Sequence, residues 1–364
     1  MALSAIFVFC YRQYIFDSIS QRDADFDQED PTLLGATLDA LDSSRKQKYI
    51  AESFTPQFVV LSFDGSKSVD MLNETLEFER KMIAKGKALH FTYFINGAYF
   101  LAPENSYLYT GPGQKSGVSK IGFSDKASDI ADRVSAFNMA FREGNEIASH
   151  LVGHFNGIRW TYDSWKQEFT SFNDILSNVQ KYNSSVPIPP LEFSPSAITG
   201  FRAPDLSVNE NLYKILQNFH FTYDASGIGL IEDWPHKDNY GIWHIPLGSI
   251  YIGLKRVPTI SMDYSIWSYQ SQNINIAKKG SALWTAFHDE VLSAYMDYFN
   301  SNYNGSRAPI IIANHFSKWN DGVYWEAMKT FAERVCGEAN VRCVTFKELV
   351  NYLNTYGVPK LKIL

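Results

Sequence analysis

The sequence predicts an α/β fold on a parallel sheet. From residue 57 onward, short β-rich runs alternate with longer segments whose apolar residues recur at helical spacing, about seven such units in all. They close as a barrel or wind as an open doubly wound sheet. No period of roughly 20–50 residues repeats, which excludes a solenoid. The 364 residues carry 33 Lys+Arg against 39 Asp+Glu, a net charge of −6, with 45% hydrophobic and 20% charged side chains. That mix belongs to a globular protein, and the acidic balance gives no footprint for a nucleic-acid backbone. Aromatic residues make up 15% of the chain. They read either as extra core or as a surface that stacks on flat ligands such as sugar rings.

Residues 1–54 read as an N-terminal extension. The apolar run Ala2 to Tyr11 has ten residues, where a bilayer span needs roughly 20. It lacks the preceding basic residues of a secretory signal, and reads as a signal or anchor remnant or a strand; no stable membrane span is expected. Residues 12–54 are charged and weakly patterned. Gln57–Phe63 is then a strand. Residues 68–85 form a helix, with Leu72, Leu76 and Ile83 on one face and Ser68 as N-cap. A strand at 90–95 ends at Asn96-Gly97. The helix at 128–143 turns Ile130, Val134, Phe137 and Phe141 inward. After a strand at 146–149, the helix at 163–181 does the same with Trp165, Phe169, Phe172, Leu176 and Val179. Further strands fall near 198–202, 220–224, 242–246, 309–313 and 341–346, and helices near 207–218, 284–300, 323–336 (with Phe331 inward) and 346–355. Residues 247–279 read as an irregular excursion over one face. Cys336 and Cys343 lie within reach of a disulfide or are two buried thiols, and no CxxC is present.

Parallel α/β folds carry their chemistry at the C-terminal strand ends, and the reactive residues fall there. Strand 57–63 runs into Asp64-Gly65, by itself a common turn. Strand 146–149 runs into His150 and His154, four apart and so on one side of a helical turn, where two imidazoles can share a metal. Strand 198–202 delivers Arg202, a rigid cation held by Pro204 that can clamp a carboxylate. Strand 220–224 delivers Asp224, and His315 follows strand 309–313. A satisfied core histidine or a surface ion pair would explain each alone, but not their joint occurrence in one layer.

From Gln57 to Leu353 this order of residues resembles the polysaccharide deacetylases, the NodB-homology or family 4 carbohydrate esterases. Leu61-Ser62-Phe63-Asp64 resembles their first motif, Thr-Phe-Asp-Asp-Gly. His150 and His154 resemble the second, His-Ser/Thr-x-x-His, with Leu151 in place of the hydroxyl residue. Gly200-Phe201-Arg202-Ala203-Pro204 fits the third motif, Tyr223-Asp224 falls where the fourth begins, and His315 takes the place of the final His. Arg202-Ala203-Pro204 and the stretch Tyr298 to His315 look most like the chitin-deacetylase-like branch and the peptidoglycan deacetylases of predatory bacteria.

The resemblance implies a distorted (β/α)7-type barrel over residues 55–364 and a secreted, periplasmic or cell-envelope location. It implies a Zn²⁺-like divalent metal on His150 and His154, and removal of N-acetyl groups from N-acetylglucosamine in a polysaccharide, peptidoglycan before chitin. Asp64 would be the base, held by Arg202; His315 the acid, oriented by Asp224. The chain departs from the pattern at Gly65, where the family has a second aspartate, and after Asp224, where Asp-x-x-Asp-Trp is expected. Asp64 is then either the base, with one ligand lost, or a metal ligand itself, with the base to come from elsewhere; Asp70 is the nearest later carboxylate. Gly65 would also suit an inactive glycan-binding protein on the same fold. A two-carboxylate glycosidase needs neither the histidine pair nor the late histidine. Trp160, Trp243, Trp319 and Tyr324 follow the reactive strand ends and are the candidates for stacking on a sugar.

Overall fold

A computed structural model describes residues 49–51 and 55–363; the signal or anchor reading of Ala2 to Tyr11 lies outside them. In chain order the strands are β1 (Tyr49–Ala51), β2 (Gln57–Gly65), β3 (Phe91–Ile95), β4 (Glu146–Ser149), β5 (Gly200–Phe201), β6 (Tyr223–Asp224), β7 (Ile228–Leu230), β8 (His236–Lys237), β9 (Trp243–His244), β10 (Leu247–Ile252), β11 (Val257–Ile260), β12 (Ile310–His315), β13 (Val341–Cys343) and β14 (Leu361–Ile363). The helices are α1 (Val69–Ala84), α2 (Ala127–Arg142), α3 (Tyr162–Ser177), α4 (Val179–Tyr182), α5 (Glu210–Asn218), α6 (Asp263–Ser271), α7 (Ala282–Tyr303), α8 (Trp319–Val335) and α9 (Phe346–Tyr356).

The main sheet runs β12-β2-β3-β4-β5-β6-β9-β8, parallel except for β8, and β13 pairs with Gln57–Val59 at the start of β2. A smaller sheet, β11-β10-β7, is tied to β12 where the Ala313 N–H donates to the Ser261 carbonyl at 2.9 Å. Thus the curled sheet is bridged back toward its first strand. β1, within the stretch read as an extension, pairs antiparallel with β14.

Alternation along β2 divides the core. Val59, Leu61 and Phe63 pack under the helices, whereas Phe58 and Val60 join Phe94, Ala148, Tyr223, Trp243, Ile311 and Ala313 inside the barrel. α9 adds Phe346, Leu349, Val350 and Leu353 to that interior and is fixed by a Thr345–Glu348 capping box. Ser68 caps α1 by accepting from the Met71 N–H at 3.2 Å. Ser62 and Asp64 continue the inward series of β2, so the site layer is set by the period of two.

Four expectations are corrected. Ile83 and Phe141 are 45% and 44% exposed, because each sits on the last turn of its helix, beyond the sheet it packs on. Residues 247–279 are not irregular but hold the β10–β11 hairpin and α6. The helix expected over 163–181 breaks at Asn178, whose side chain turns back onto Asp174. β12 runs one turn of the pleat further than expected, so His315 is its last residue. Cys336, at the end of α8, is disulfide-bonded to Cys343 in β13, with Cα atoms 5.8 Å apart.

Candidate active site

Arg202, directly after β5, is fully buried. Its Nη1 donates to Asp64 Oδ1 at 2.7 Å and to Ser62 Oγ at 3.1 Å, and its Nε donates to the Ala225 carbonyl at 3.1 Å. The guanidinium lies 4.2 Å above the Phe94 ring. Burial pushes the Asp64 carboxyl upward, but the Arg202 charge, joined by His150 and His315, outweighs it and holds the group below its ordinary range.

His150 follows β4. Its main-chain N–H donates to the Ile95 carbonyl at 2.9 Å, and its Nδ1 lies 2.8 Å from the Arg202 carbonyl. A carbonyl can only accept, so Nδ1 carries the proton and Nε2 keeps its lone pair. Burial drives the pKa of this ring down to about 3, so it is neutral at working pH. His154 Nδ1 lies 3.6 Å from Asp205 Oδ1, and burial lowers its pKa too. The two ring centroids are 5.0 Å apart and cross at 72°. They do not share a helical turn as the spacing suggested. The segment is a loop in which Leu151 and His154 take φ of 59° and 58°, and this left-handed backbone brings the rings together.

His315 closes the constellation. Its Nδ1 lies 2.7 Å from Asp263 Oδ1, and its N–H donates to Asp263 Oδ2 at 2.8 Å. Burial alone would lower this imidazole's pKa, but the Asp263 charge and hydrogen bond outweigh it and raise it. Asp263, buried at the start of α6, therefore takes the place expected of Asp224. In β6 the interior position goes to Tyr223, and Asp224 registers beside Phe201, which packs outward on Phe169 of α3. Asp224 instead accepts from the Ser226 N–H at 3.0 Å and from the Ser226 hydroxyl, 3.9 Å from His244 Nδ1. Asp70 is exposed on α1. Asp263 lay in the stretch read as irregular, and its one sequence signal is its place at the head of a helix.

Of the four aromatic candidates, Trp319 lies 5.3 Å from the His315 ring and stacks on Trp267 at 4.5 Å, with Tyr264 beside it. Trp243 and Tyr324 are buried, and Trp160 packs edge-on against Trp165.

Two adjacent imidazoles, His150 with its Nδ1 held by a carbonyl and its Nε2 lone pair free of that bond, have the donor chemistry of a divalent transition metal. Gly65 has φ of 103°, and a Cβ built on it would meet only Phe316, at 3.9 Å. The space beside Asp64 is thus open, but the backbone disfavours a side chain there. Among the described residues no group of three or more His, Cys, Asp or Glu is placed to hold a metal ion. The pair alone would supply two ligands of an open site, the rest of the shell coming from water or substrate.

No protein-family model matches the sequence, and no curated protein does. Solved structures match it. A Mycobacterium smegmatis protein assigned as a polysaccharide deacetylase has a TM-score of 0.52 at 15% identity, over 87% of this chain and 97% of that one. Looser matches include a family 4 carbohydrate esterase from Streptomyces lividans in complex with acetate (TM-score 0.40, 13% identity, 78% of this chain and 90% of that one). Another is the peptidoglycan deacetylase PdaC from Bacillus subtilis (TM-score 0.41, 12% identity, 84% and 96%). At these identities the likeness is one of fold, and the Mycobacterium structure carries it. The chain has the NodB-homology fold of the polysaccharide deacetylases, a distorted (β/α)7 barrel.

Proposed function

We propose that the chain is a metal-assisted hydrolase that removes N-acetyl groups from the amino sugars of a polysaccharide, peptidoglycan first and chitooligosaccharides second. The observation that carries this reading is a pair of opposite proton-handling groups beside the two histidines. Asp64 is held ionised by Arg202 at 2.7 Å, and His315 is held toward its charged form by Asp263, also at 2.7 Å.

His150 and His154 would hold a divalent ion such as Zn²⁺, which would supply Lewis-acid polarisation of the acetamide carbonyl and a more acidic water. Asp64 accepts a proton as water adds to that carbonyl, and Arg202 keeps it ionised and aimed. His315 protonates the departing amine, and Asp263 fixes its tautomer and orientation. Trp319, Trp267 and Tyr264 offer an aromatic wall beside His315 for a sugar face. The Cys336–Cys343 disulfide supports an oxidising location, secreted or in the cell envelope. Among the described residues no helix is long and apolar enough to cross a membrane.

The test is acetate release by the metal-loaded protein from peptidoglycan and from chitooligosaccharides, with and without chelator. Release that stops on chelation, and that His315→Ala removes without loss of metal, supports the reading. Gly65 favours a second one, an inactive glycan-binding protein. Polymer binding without acetate from either substrate would select it.

A further inference from the structure

The loop from His150 to His154 is held from beneath by a carboxylate outside the reacting layer. Glu168, on α3, is fully buried. Its Oε1 accepts from the consecutive main-chain N–H groups of Val152 and Gly153, both at 3.1 Å, and the Tyr109 hydroxyl donates to the carboxylate at 2.8 Å. Consecutive N–H groups beside a left-handed residue, here Leu151, form a concave nest for an anion. This nest is filled by the protein's own side chain. Gly153 belongs to the same device, because a Cβ there would come within 2.5 Å of the Tyr109 hydroxyl oxygen. The loop carbonyls are occupied as well: that of Leu151 accepts from the Gly97 N–H at 2.7 Å, and that of Gly153 from the Lys120 N–H at 2.9 Å.

We propose that Glu168, with Tyr109, is a positioning residue for the histidine pair: its carboxylate in the Val152–Gly153 nest fixes the loop that sets the spacing of the two imidazoles. Neither group reaches the Nε2 atoms, so they act through the backbone. The proposal rests on the reading of His150 and His154 as metal ligands. Without the anion, two buried N–H groups lose their acceptor and the loop gains other conformations, only some of which bring both rings to one ion.

The test is Co²⁺ affinity of the full chain, measured by chelator competition and the visible spectrum, alongside the melting temperature. Glu168→Ala is expected to weaken Co²⁺ binding at least about 10-fold, the range for groups that orient metal ligands. Glu168→Gln, which keeps an acceptor for the nest, should recover part of that loss, and Tyr109→Phe should fall between. Met82→Ala, a core truncation in α1, controls for stability; it should lower the melting temperature while Co²⁺ affinity stays at the wild-type value. Should Glu168→Ala fail to fold, Glu168→Gln and Tyr109→Phe carry the test. Wild-type affinity in those variants, or an equal loss in Met82→Ala, overturns the positioning role. A wild-type chain that binds no Co²⁺ overturns the metal reading itself, and the proposal with it.

Discussion

Two buried aspartates make opposite predictions about turnover. Asp263 holds both Nδ1 and the N–H of His315, whereas Asp224 holds Ser226 on the outward face of β6. Asp263→Asn should therefore lower kcat for acetate release by about 100-fold or more, the scale of losing an oriented general acid. Asp224→Asn should stay near the wild-type rate per folded molecule. Equal losses in both would return Asp224 to the site. The pH profile gives an independent check. His315 must be protonated to serve the leaving amine, and Asp263 raises its pKa above the ordinary 6.5 against the pull of burial. Activity should thus fall on the alkaline side, with a limb above 6.5. In Asp263→Asn the charge and carboxylate bond that oppose burial are lost, so that limb should move to lower pH. An unmoved limb would assign it to another group.

At the scale of elements, legibility in the sequence followed how local the cause was. α2 and α3 could be read from Ile130, Val134, Phe169 and Phe172 because their burial follows the helical period. Asp64, His150, Arg202 and His315 could be located because a parallel strand ends where its apolar run ends. Asp263 could not, because it is carried by the β10–β11 hairpin and α6, joined to β12 only through tertiary bonds such as Ala313 N–H to Ser261 O. Pro258 interrupts that hairpin's alternation, and so hid it. The approach of the histidines was also misread, since no residue spacing reports the left-handed backbone at Leu151 and His154. The disulfide was open in the sequence and is formed in the structure. Closing a short loop, it should contribute about 2–3 kcal/mol. It ties α8 to β13 on the first residues of β2, at the opposite end of that strand from Asp64. Replacing both cysteines by Ala should lower the unfolding free energy in denaturant by that amount and leave kcat unchanged at 25 °C. A change in kcat would mean that the two ends of β2 are coupled.

At the scale of the whole molecule, His150 and Glu146 are among the buried groups whose charged forms the fold opposes, and these two act on stability from opposite sides of the pH scale. Without metal, His150 has its pKa depressed from 6.5 to about 3, so its contribution is full above 6.5 and is lost as pH falls toward 3. Glu146 faces the other way. Buried at the start of β4, it is pushed by desolvation from 4.5 up to about 7, although the Lys347 N–H, Tyr223 and Thr92 donate to it. The fold favours its protonated form, so its contribution is full below 4.5 and is lost as pH rises through 7. Between these limits the unfolded chain has released a proton that the native protein keeps, and stability falls by about 1.4 kcal/mol per pH unit from this group alone. Glu146→Gln removes that slope while keeping the contacts. The amide oxygen can accept from the Lys347 N–H and Thr92, and the amide nitrogen can donate to the Tyr223 oxygen. The stability difference between Glu146→Gln and wild type, measured in chelated protein by denaturant titration, should therefore move in favour of the variant by about 3 kcal/mol between pH 4.5 and 7. Using the difference cancels His150 and every other titrating group common to both chains. A difference that stays constant across that range would mean that Glu146 is ionised in the native barrel.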